Sequence, residues 1–204
     1  MLYVIIVGGC GLLISTIVAL ITKLSFLYVL LFTAIAIAAV VLIDALVATV
    51  CRLLPQKCAN HESKVYAVST EEKKFYEKLK IRKWKDKIPE IGHFTGFRKN
   101  KIADPKSLEY VERFLLEICY GELGHFFSVF FGFLILLLFP ITDIWFAIAI
   151  PVAVINGIMN LPSLFILRYN SYKLKILRNN LLKKKNRERA KTEENQTPST
   201  SAEN

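Results

Sequence analysis

The chain has few of the residues from which metal and redox sites are built: it contains four cysteines and three histidines among 204 residues. The cysteines show no Cys-x-x-Cys spacing, so neither a zinc motif nor a thiol redox motif is predicted. They are Cys10, Cys51, Cys58 and Cys119. No Gly-x-Ser-x-Gly occurs, and the chain therefore lacks the nucleophile elbow of serine hydrolases. We expect the cysteines to be unreactive thiols.

Charge is also scarce over long stretches, although the chain as a whole carries a formal net charge of +10. About 20 apolar residues in a helix cross a hydrocarbon core of roughly 30 Å. Four apolar stretches meet or approach this length, and we predict an all-α integral membrane protein. Its four transmembrane helices are predicted at about 2–21, 26–51, 119–139 and 144–168.

The basic residues avoid the two short connections between paired spans. The turn at 22–25 contains only Lys23, and the turn at 140–143 contains no basic residue. Short basic loops stay on the cytoplasmic side, so we expect two outward-pointing hairpins, a cytoplasmic segment at 52–118 and both termini in the cytoplasm. Residues 1–175 should form one membrane domain. The tail, 176–204, is basic and then polar, and its last fifteen or so residues are predicted to be disordered.

The third apolar run is informative because it is short. From Phe126 to Phe139 it would rise only about 21 Å as a helix, against the roughly 30 Å that a span needs. It must therefore recruit residues before Phe126, which brings Glu122 and His125 to the membrane interface. Glu117 and Glu122 lie on turns near His125, and either carboxylate could hold the imidazole in one tautomer. His125 is thus a candidate general base, with Glu122 and Glu117 as catalytic partners.

Polar groups lie at a similar depth in the other spans. Asp44 on the second span, and Asn160 and Arg168 on the fourth, are predicted to line one cavity with His125. Asn160 or Arg168 could stabilise the oxyanion of an acyl transfer there. Each also has a structural interpretation, because asparagines glue membrane helices together and an arginine at the end of a span can extend to the interface. The sequence does not decide whether their faces converge.

Between the hairpins, residues 71–89 form a predicted basic amphipathic helix. Such segments lie in the headgroup plane, where clustered cations attract phosphates. The candidate phosphate-binding residues are those around Trp84, namely Arg82, Lys83, Lys85 and Lys87. The alternative is a solvated face that reflects only the cytoplasmic location of the segment.

Two Glu-x-x-His units occur, at Glu90 to His93 and at Glu122 to His125. This is the ligand spacing of carboxylate-bridged di-iron sites in helix bundles. The first unit follows Pro89 and contains Gly92, so it is a poor candidate for a regular helix. A metal-dependent membrane enzyme is therefore kept only as a minor alternative, and no metal ligands are assigned.

Three strings of residues resemble a known family. They are FYEKLKIRKWKDKIPEIG at 75–92, YVERFLLEICYGELGH at 110–125 and NLPSLFILRYN at 160–170. In this order, between paired spans, they are similar to the glycosyl-4,4'-diaponeurosporenoate acyltransferases over roughly residues 40–175. Where that family has a Gln before Arg-Tyr-Asn and an Arg after it, this chain has Leu167 and Ser171, which bears on the substrate more than on the fold. The resemblance adds Asp86, Tyr169 and Asn170 to the candidate substrate-binding residues.

The resemblance implies a small bacterial cell-membrane enzyme of staphyloxanthin-type carotenoid synthesis. Such an enzyme moves a fatty acyl group onto a sugar hydroxyl of a glycosylated carotenoid or another lipid-linked glycosyl acceptor. Acyl-CoA or acyl carrier protein would be the co-substrate, with no bound cofactor, membrane lipids as surroundings and no nucleic-acid partner.

The His-x-x-x-x-Asp motif of glycerolipid acyltransferases is absent, because Tyr66, Arg98 and Phe130 stand five residues after the histidines. The competing class is a non-catalytic accessory or assembly protein of the membrane.

Overall fold

The computed structural model describes residues 2–88, 103–138 and 142–196, and all regular structure in these residues is helical. The described residues contain six α-helices. They are α1 (Leu2–Thr22), α2 (Phe26–Leu53), α3 (Thr70–Lys78), α4 (Ile81–Trp84), α5 (Leu108–Phe131) and α6 (Asp143–Gln196). Short 3-10 helices lie at Gln56–Ala59, Lys64–Tyr66, Lys85–Lys87 and Gly132–Leu137. Four helices are long and apolar enough to cross a membrane: α1, α2, α6, and α5 with its 3-10 extension.

The first two helices pack against each other and against α6. Val29, Ala36 and Ala153 are fully buried in their common apolar core. Within it, the hydroxyl of Ser15 lies 3.0 Å from that of Thr33. Leucines on the outside of α1 and α2 remain largely exposed, for example Leu20 at 74%. Contiguous exposed apolar surface of this kind marks a lipid-facing side rather than a water-facing one.

The third predicted span is longer than expected, because α5 begins at Leu108 rather than near residue 119. The side chain of Ser107 caps the helix by accepting a hydrogen bond from the backbone N–H of Tyr110 at 3.2 Å. The added turns are held by an apolar stripe that packs on α6. Eleven residues assigned to the cytoplasmic segment therefore belong to the same helix as His125, and the run ends as a 3-10 helix at Leu137.

The middle segment is not one amphipathic helix. Lys80 has a left-handed φ of 54°, and this residue separates α3 from α4. Of residues 71–88, Tyr76 and Ile81 are buried, and both pack against Ile166 and Tyr169 of α6. Phe75, an aromatic residue of α3, is 49% exposed. The break at Lys80 thus turns a different set of side chains toward the bundle.

The last helix does not end with the fourth span. It contains Pro151 and Pro162 and continues to Gln196, 54 residues in all. At 1.5 Å per residue it is about 80 Å long, more than twice the thickness of a hydrocarbon core. Residues 190–196, expected from composition to be disordered, continue this helix.

Candidate functional site

A chain of hydrogen bonds links three helices near the middle of the bundle. Asn160 of α6 donates from Nδ2 to Oδ2 of Asp44 at 3.1 Å, and Asn156 donates to Oδ1 of the same carboxylate at 3.2 Å. The Nδ1 of His125 on α5 lies 2.8 Å from Oδ1 of Asn160. We call these four residues the midspan network. Asp44, His125 and Asn160, whose convergence the sequence leaves open, therefore meet in the structure.

The network determines which nitrogen of the imidazole carries the proton. Nδ2 of Asn160 donates to Asp44 and to the backbone carbonyl oxygen of Asn156, which only accepts, so the amide is oriented with Oδ1 toward His125. Because Oδ1 only accepts, Nδ1 of His125 must be the donor. In the neutral imidazole the basic lone pair then resides on Nε2. A histidine held in a single tautomer by a fixed acceptor is suited to general base catalysis.

Small residues let the helices approach closely enough for these bonds. A Cβ added to Gly132 would lie 2.7 Å from Nδ2 of Asn156, closer than side chains tolerate. Asn156 and Asn160 are both buried, with exposed fractions of 6% and 8%, whereas Asp44 and His125 are half-buried. The buried amides are held by Asp44 and the backbone, and the imidazole lies at the more accessible end of the network.

Arg168 belongs to a second, separate cluster. Its guanidinium is bound by both oxygens of Glu72 from α3, and Nη1 donates to Glu122 of α5 at 3.1 Å. The carbonyl oxygens of Val65 and Ala67 accept the remaining two hydrogen bonds, at 3.3 and 3.1 Å. We call Arg168, Glu72 and Glu122 the arginine clamp. All five N–H donors of the guanidinium are engaged in it.

The clamp ties the middle segment to the bundle. Burial alone would raise the pKa of Glu72, but hydrogen bonds from Arg168 and Tyr76 outweigh burial, and the pKa lies below its ordinary value. The carboxylate is thus ionised and paired at neutral pH. Glu122 is more deeply buried, with 4% of its side chain exposed, and one of its oxygens has Arg168 as its partner.

A second clamp, which the sequence did not suggest, lies further along α6. Arg178 donates to Glu112 of α5 and, from Nη2, to Glu62 at 2.9 Å. His61 donates from Nε2 to the other oxygen of Glu112 at 2.9 Å. No local motif marks these residues, since they are 50 or more positions apart except for the neighbours His61 and Glu62. Only the packing of α5 on α6 brings them together.

Glu117 and Glu122, predicted to orient the imidazole of His125, have other partners in the structure. Glu117 pairs with Arg52 of α2 at 3.1 Å and with Arg113 at 3.8 Å. Glu122 pairs with Arg168, and Nδ1 of His125 is held by Asn160. Helical spacing put the carboxylates near His125 along the sequence, but each found an arginine partner instead.

The predicted oxyanion donors are also engaged elsewhere. Nδ2 of Asn160 donates to Asp44 and to the carbonyl oxygen of Asn156, and the donors of Arg168 are all used by the clamp. Tyr169 is 2% exposed and packs in the apolar cluster with Tyr76, while Asn170 is 8% exposed. All three residues of the Arg-Tyr-Asn string are therefore held inside the protein.

The predicted phosphate-binding residues remain accessible. Arg82, Lys83 and Lys87 are exposed, Lys85 is half-buried, and Asp86 among them is exposed. Trp84 is half-buried and donates its indole N–H to the carbonyl oxygen of Leu79 at 2.9 Å, which anchors the short helix α4. The four basic side chains form no ion pair with other described residues, whereas Arg168 and Arg178 are both paired.

Within the described residues, no cluster of three histidine, cysteine, aspartate or glutamate side chains could hold a metal ion. The Glu-x-x-His unit at Glu122 has its carboxylate on Arg168 and its imidazole on Asn160. The other unit, at Glu90 and His93, lies outside the described residues.

A family model described as glycosyl-4,4'-diaponeurosporenoate acyltransferase matches residues 61–180, which is more than half of the chain. The matched part contains both clamps together with His125, Asn156 and Asn160, whereas α1, α2 and Asp44 precede it. No curated protein and no solved structure matches the chain.

Proposed function

This chain belongs to the glycosyl-4,4'-diaponeurosporenoate acyltransferase family, and from that premise we propose a membrane enzyme that acylates a sugar hydroxyl. The acyl donor is a fatty acyl thioester, either acyl-CoA or acyl carrier protein. The acceptor is a glycosylated carotenoid or a related lipid-linked sugar. The enzyme lies in the bacterial cell membrane with both termini and the middle segment in the cytoplasm, as the distribution of lysine and arginine favours.

The observation that carries the proposal is the 2.8 Å contact between Nδ1 of His125 and Oδ1 of Asn160. A sugar hydroxyl is a weak nucleophile until a base removes its proton as it attacks. The bond from Nδ1 to Asn160 leaves the lone pair of the imidazole on Nε2. His125 is therefore the catalytic base of the proposal, and Asn160 and Asp44 are positioning residues that act through it.

The reaction consists of one acyl transfer. The hydroxyl oxygen attacks the thioester carbonyl while Nε2 of His125 accepts the hydroxyl proton. The tetrahedral intermediate then expels the thiolate, and His125 returns the proton to that sulfur. An ester and a free thiol result, and the histidine is neutral again. The imidazolium formed in between is stabilised by its bond to Asn160, whose amide is polarised by the Asp44 carboxylate.

The exposed cations of α4 supply a binding surface for the donor. Both proposed donors carry phosphate at the far end of the pantetheine arm that bears the thioester, and clustered lysine and arginine side chains attract phosphate. Arg82, Lys83 and Lys87 are free of ion pairs with other described residues, which leaves them available for a ligand.

The test is acyl transfer in membranes that contain the protein. Labelled fatty acyl-CoA, or acyl carrier protein, is supplied with a glycosylated carotenoid acid or a glycolipid. Wild type is compared with His125→Ala and with His61→Ala, a matched control in which the lost histidine belongs to the second clamp. We expect a labelled product from wild type and from His61→Ala, and a loss of about 100- to 10,000-fold in His125→Ala.

Equal turnover by His125→Ala and wild type would refute the role of His125. Absence of any acylated product from folded wild type, with each donor and acceptor, would refute the acyltransferase assignment itself and favour an accessory role.

A further inference from the structure

The C-terminal part of α6 extends beyond the packed body of the protein. Leu174, Leu177 and Leu181 of α6 pack against the first turns of α5, and Leu181 is the last residue of this apolar cluster. From Leu181 the helix continues to Gln196, a rise of about 22 Å. Residues 183–193 are all exposed. Helices in proteins are mostly stabilised by packing, so a solitary extension of this kind leaves its whole circumference accessible to a partner.

Basic side chains dominate this extension. Residues 183–191 include six lysines and arginines but only one acidic residue, Glu188. At 3.6 residues per turn, four of the basic residues fall within a sector of about 100° on the helix: Lys183, Lys184, Arg187 and Lys191. All four line the same surface depression. We call them the basic face. Lys185 and Arg189 lie on the opposite side of the helix.

The basic face lies far along α6 from the headgroups of the surrounding membrane. Lys183 and Lys191 follow Arg168, where the predicted fourth span ends, by about 22 and 35 Å along the helix. Headgroups add only about 5–7 Å to each side of the hydrocarbon core. Exposed charges are screened beyond about 8 Å in physiological salt. A soluble anionic partner therefore fits the basic face better than anionic lipid does.

We propose that the basic face docks an acidic acyl carrier protein, which makes the protein-bound thioester the preferred donor; the inference rests on the proposed function. Acyl carrier proteins are small acidic domains, so their surface charge complements that of the basic face. A domain of about 80 residues is about 30 Å across. This size matches the distance of about 22 to 35 Å between the end of the span and the basic face. A carrier docked there fills the space between the extension and the membrane surface.

The docked carrier holds its pantetheine arm at the level of α4. This short helix packs on Ile166 and Tyr169 of α6, which follow Asn160 by about 9 and 14 Å along the helix. Asn160 in turn holds His125. The phosphate at the carrier end of the arm thus meets the exposed cations of α4, and the thioester at the other end extends toward the base. Acyl-CoA can use the same α4 cations but has no protein body for the basic face.

Two double variants test the basic face with the same change of charge. Arg187→Glu with Lys191→Glu reverses two cations of the basic face, and Lys185→Glu with Arg189→Glu reverses two on the opposite side of the same helix. Binding of palmitoyl-acyl carrier protein to each protein in nanodiscs of neutral lipid is measured by surface plasmon resonance at several salt concentrations. We expect Kd to rise about 10-fold or more in the first variant and about threefold or less in the second. The first variant should also show the weaker dependence of Kd on salt.

Transfer from the two donors separates this inference from the proposed function. The basic-face variant should lose kcat/KM with palmitoyl-acyl carrier protein and keep the wild-type value with palmitoyl-CoA, which also shows that it is folded. Failure of wild type to bind the carrier, or equal Kd values for the two double variants, would overturn the docking site whether or not transfer occurs. Carrier binding that depends on the basic face, without transfer from either donor by folded wild type, would support the docking site and refute the acyltransferase assignment.

A dye near the end of α6 tests the other occupant, the lipid surface. Thr192 is exposed, and Thr192→Cys is labelled in a Cys58→Ser background because Cys58 is the exposed native cysteine. The labelled protein is placed in nanodiscs whose phosphatidylglycerol headgroups carry a quencher. We expect the fluorescence to equal that in unlabelled nanodiscs. Strong quenching would show that the extension lies on the membrane and would overturn the docking of a soluble carrier.

Discussion

The midspan network and the arginine clamp use polar side chains of the same helices in opposite ways. In the clamp, every donor of Arg168 has a partner, and Glu72 is bound through both of its oxygens. Glu122 is paired with Arg168 through one oxygen, and its other, buried oxygen has no hydrogen-bond partner among the described residues. In the network, uncharged amides connect Asp44 to an imidazole and set its tautomer. The difference teaches that an arginine within an apolar helix does not by itself mark a binding site, because all of its donors can be used inside the protein.

The largest effect should come from breaking the arginine clamp. Arg168→Ala leaves Glu122, which is only 4% exposed, without its cation, and such a buried unpaired charge costs roughly 3–5 kcal/mol in the free energy of unfolding. Arg178→Ala is the matched control, because both arginines are 19% exposed but the carboxylates on Arg178 are 35% and 62% exposed. We expect Arg178→Ala to lower the free energy of unfolding by about 1 kcal/mol or less. Unfolding in detergent measures both, and equal losses would contradict the contrast between the two clamps.

A substitution in the midspan network should lower the rate of acyl transfer more than it lowers the stability of the protein. Asp44→Asn replaces a pure acceptor with a side chain that also donates, so the amide of Asn160 is no longer fixed toward His125. We expect kcat to fall roughly 10- to 100-fold while the melting temperature changes little. Thr49→Ala on the exposed side of α2 serves as the control and should leave both unchanged. If Asp44→Asn has the same kcat as wild type, Asp44 does not position the imidazole through Asn160.

Acid should loosen the clamp before it affects the apolar core. The pKa of Glu72 is lowered in the folded protein, so its stabilisation is present above the ordinary value of 4.5 and is lost as the pH falls through the lowered pKa. The melting temperature of wild type should therefore decrease below about pH 4.5. Glu72→Gln has no such group to titrate, so its melting temperature should be lower at neutral pH and should depend less on pH in this range. Parallel pH profiles of the two proteins would show that Glu72 does not contribute in this way.

The smallest effect is expected at the edge of the second clamp. Glu62 is 62% exposed, and exposed ion pairs contribute about 0–1 kcal/mol because water and salt screen them. Glu62→Gln should change the melting temperature by no more than a few degrees and leave acyl transfer intact. A loss as large as that of Arg168→Ala would mean that the two clamps are equivalent.

The sequence predicts the four apolar helices because a run of apolar residues is a local property. It does not predict that α5 begins at Leu108 or that α6 continues to Gln196, since both extensions depend on how the two helices pack on each other. The membership in the acyltransferase family, expected from three strings of residues, is confirmed over residues 61–180.

The sequence predicts Arg168 beside Asp44, His125 and Asn160, whereas the structure places it in the arginine clamp. Depth in the membrane suggested that Asp44, His125 and Asn160 could meet, and they do. The partner of His125 depends on the rotation of α5 relative to α6, which spacing within one helix cannot give. For that reason Glu117 and Glu122 were expected beside the imidazole, and the structure pairs them with Arg52 and Arg168.

The most direct test of this account is whether Asn160 acts through His125. The kcat for acyl transfer is measured for His125→Ala, Asn160→Ala and the double variant. Residues that work as one unit are not additive, so the double variant should be no slower than His125→Ala alone. If the two losses multiply instead, Asn160 contributes independently of the imidazole, and the midspan network is not the catalytic unit that we propose.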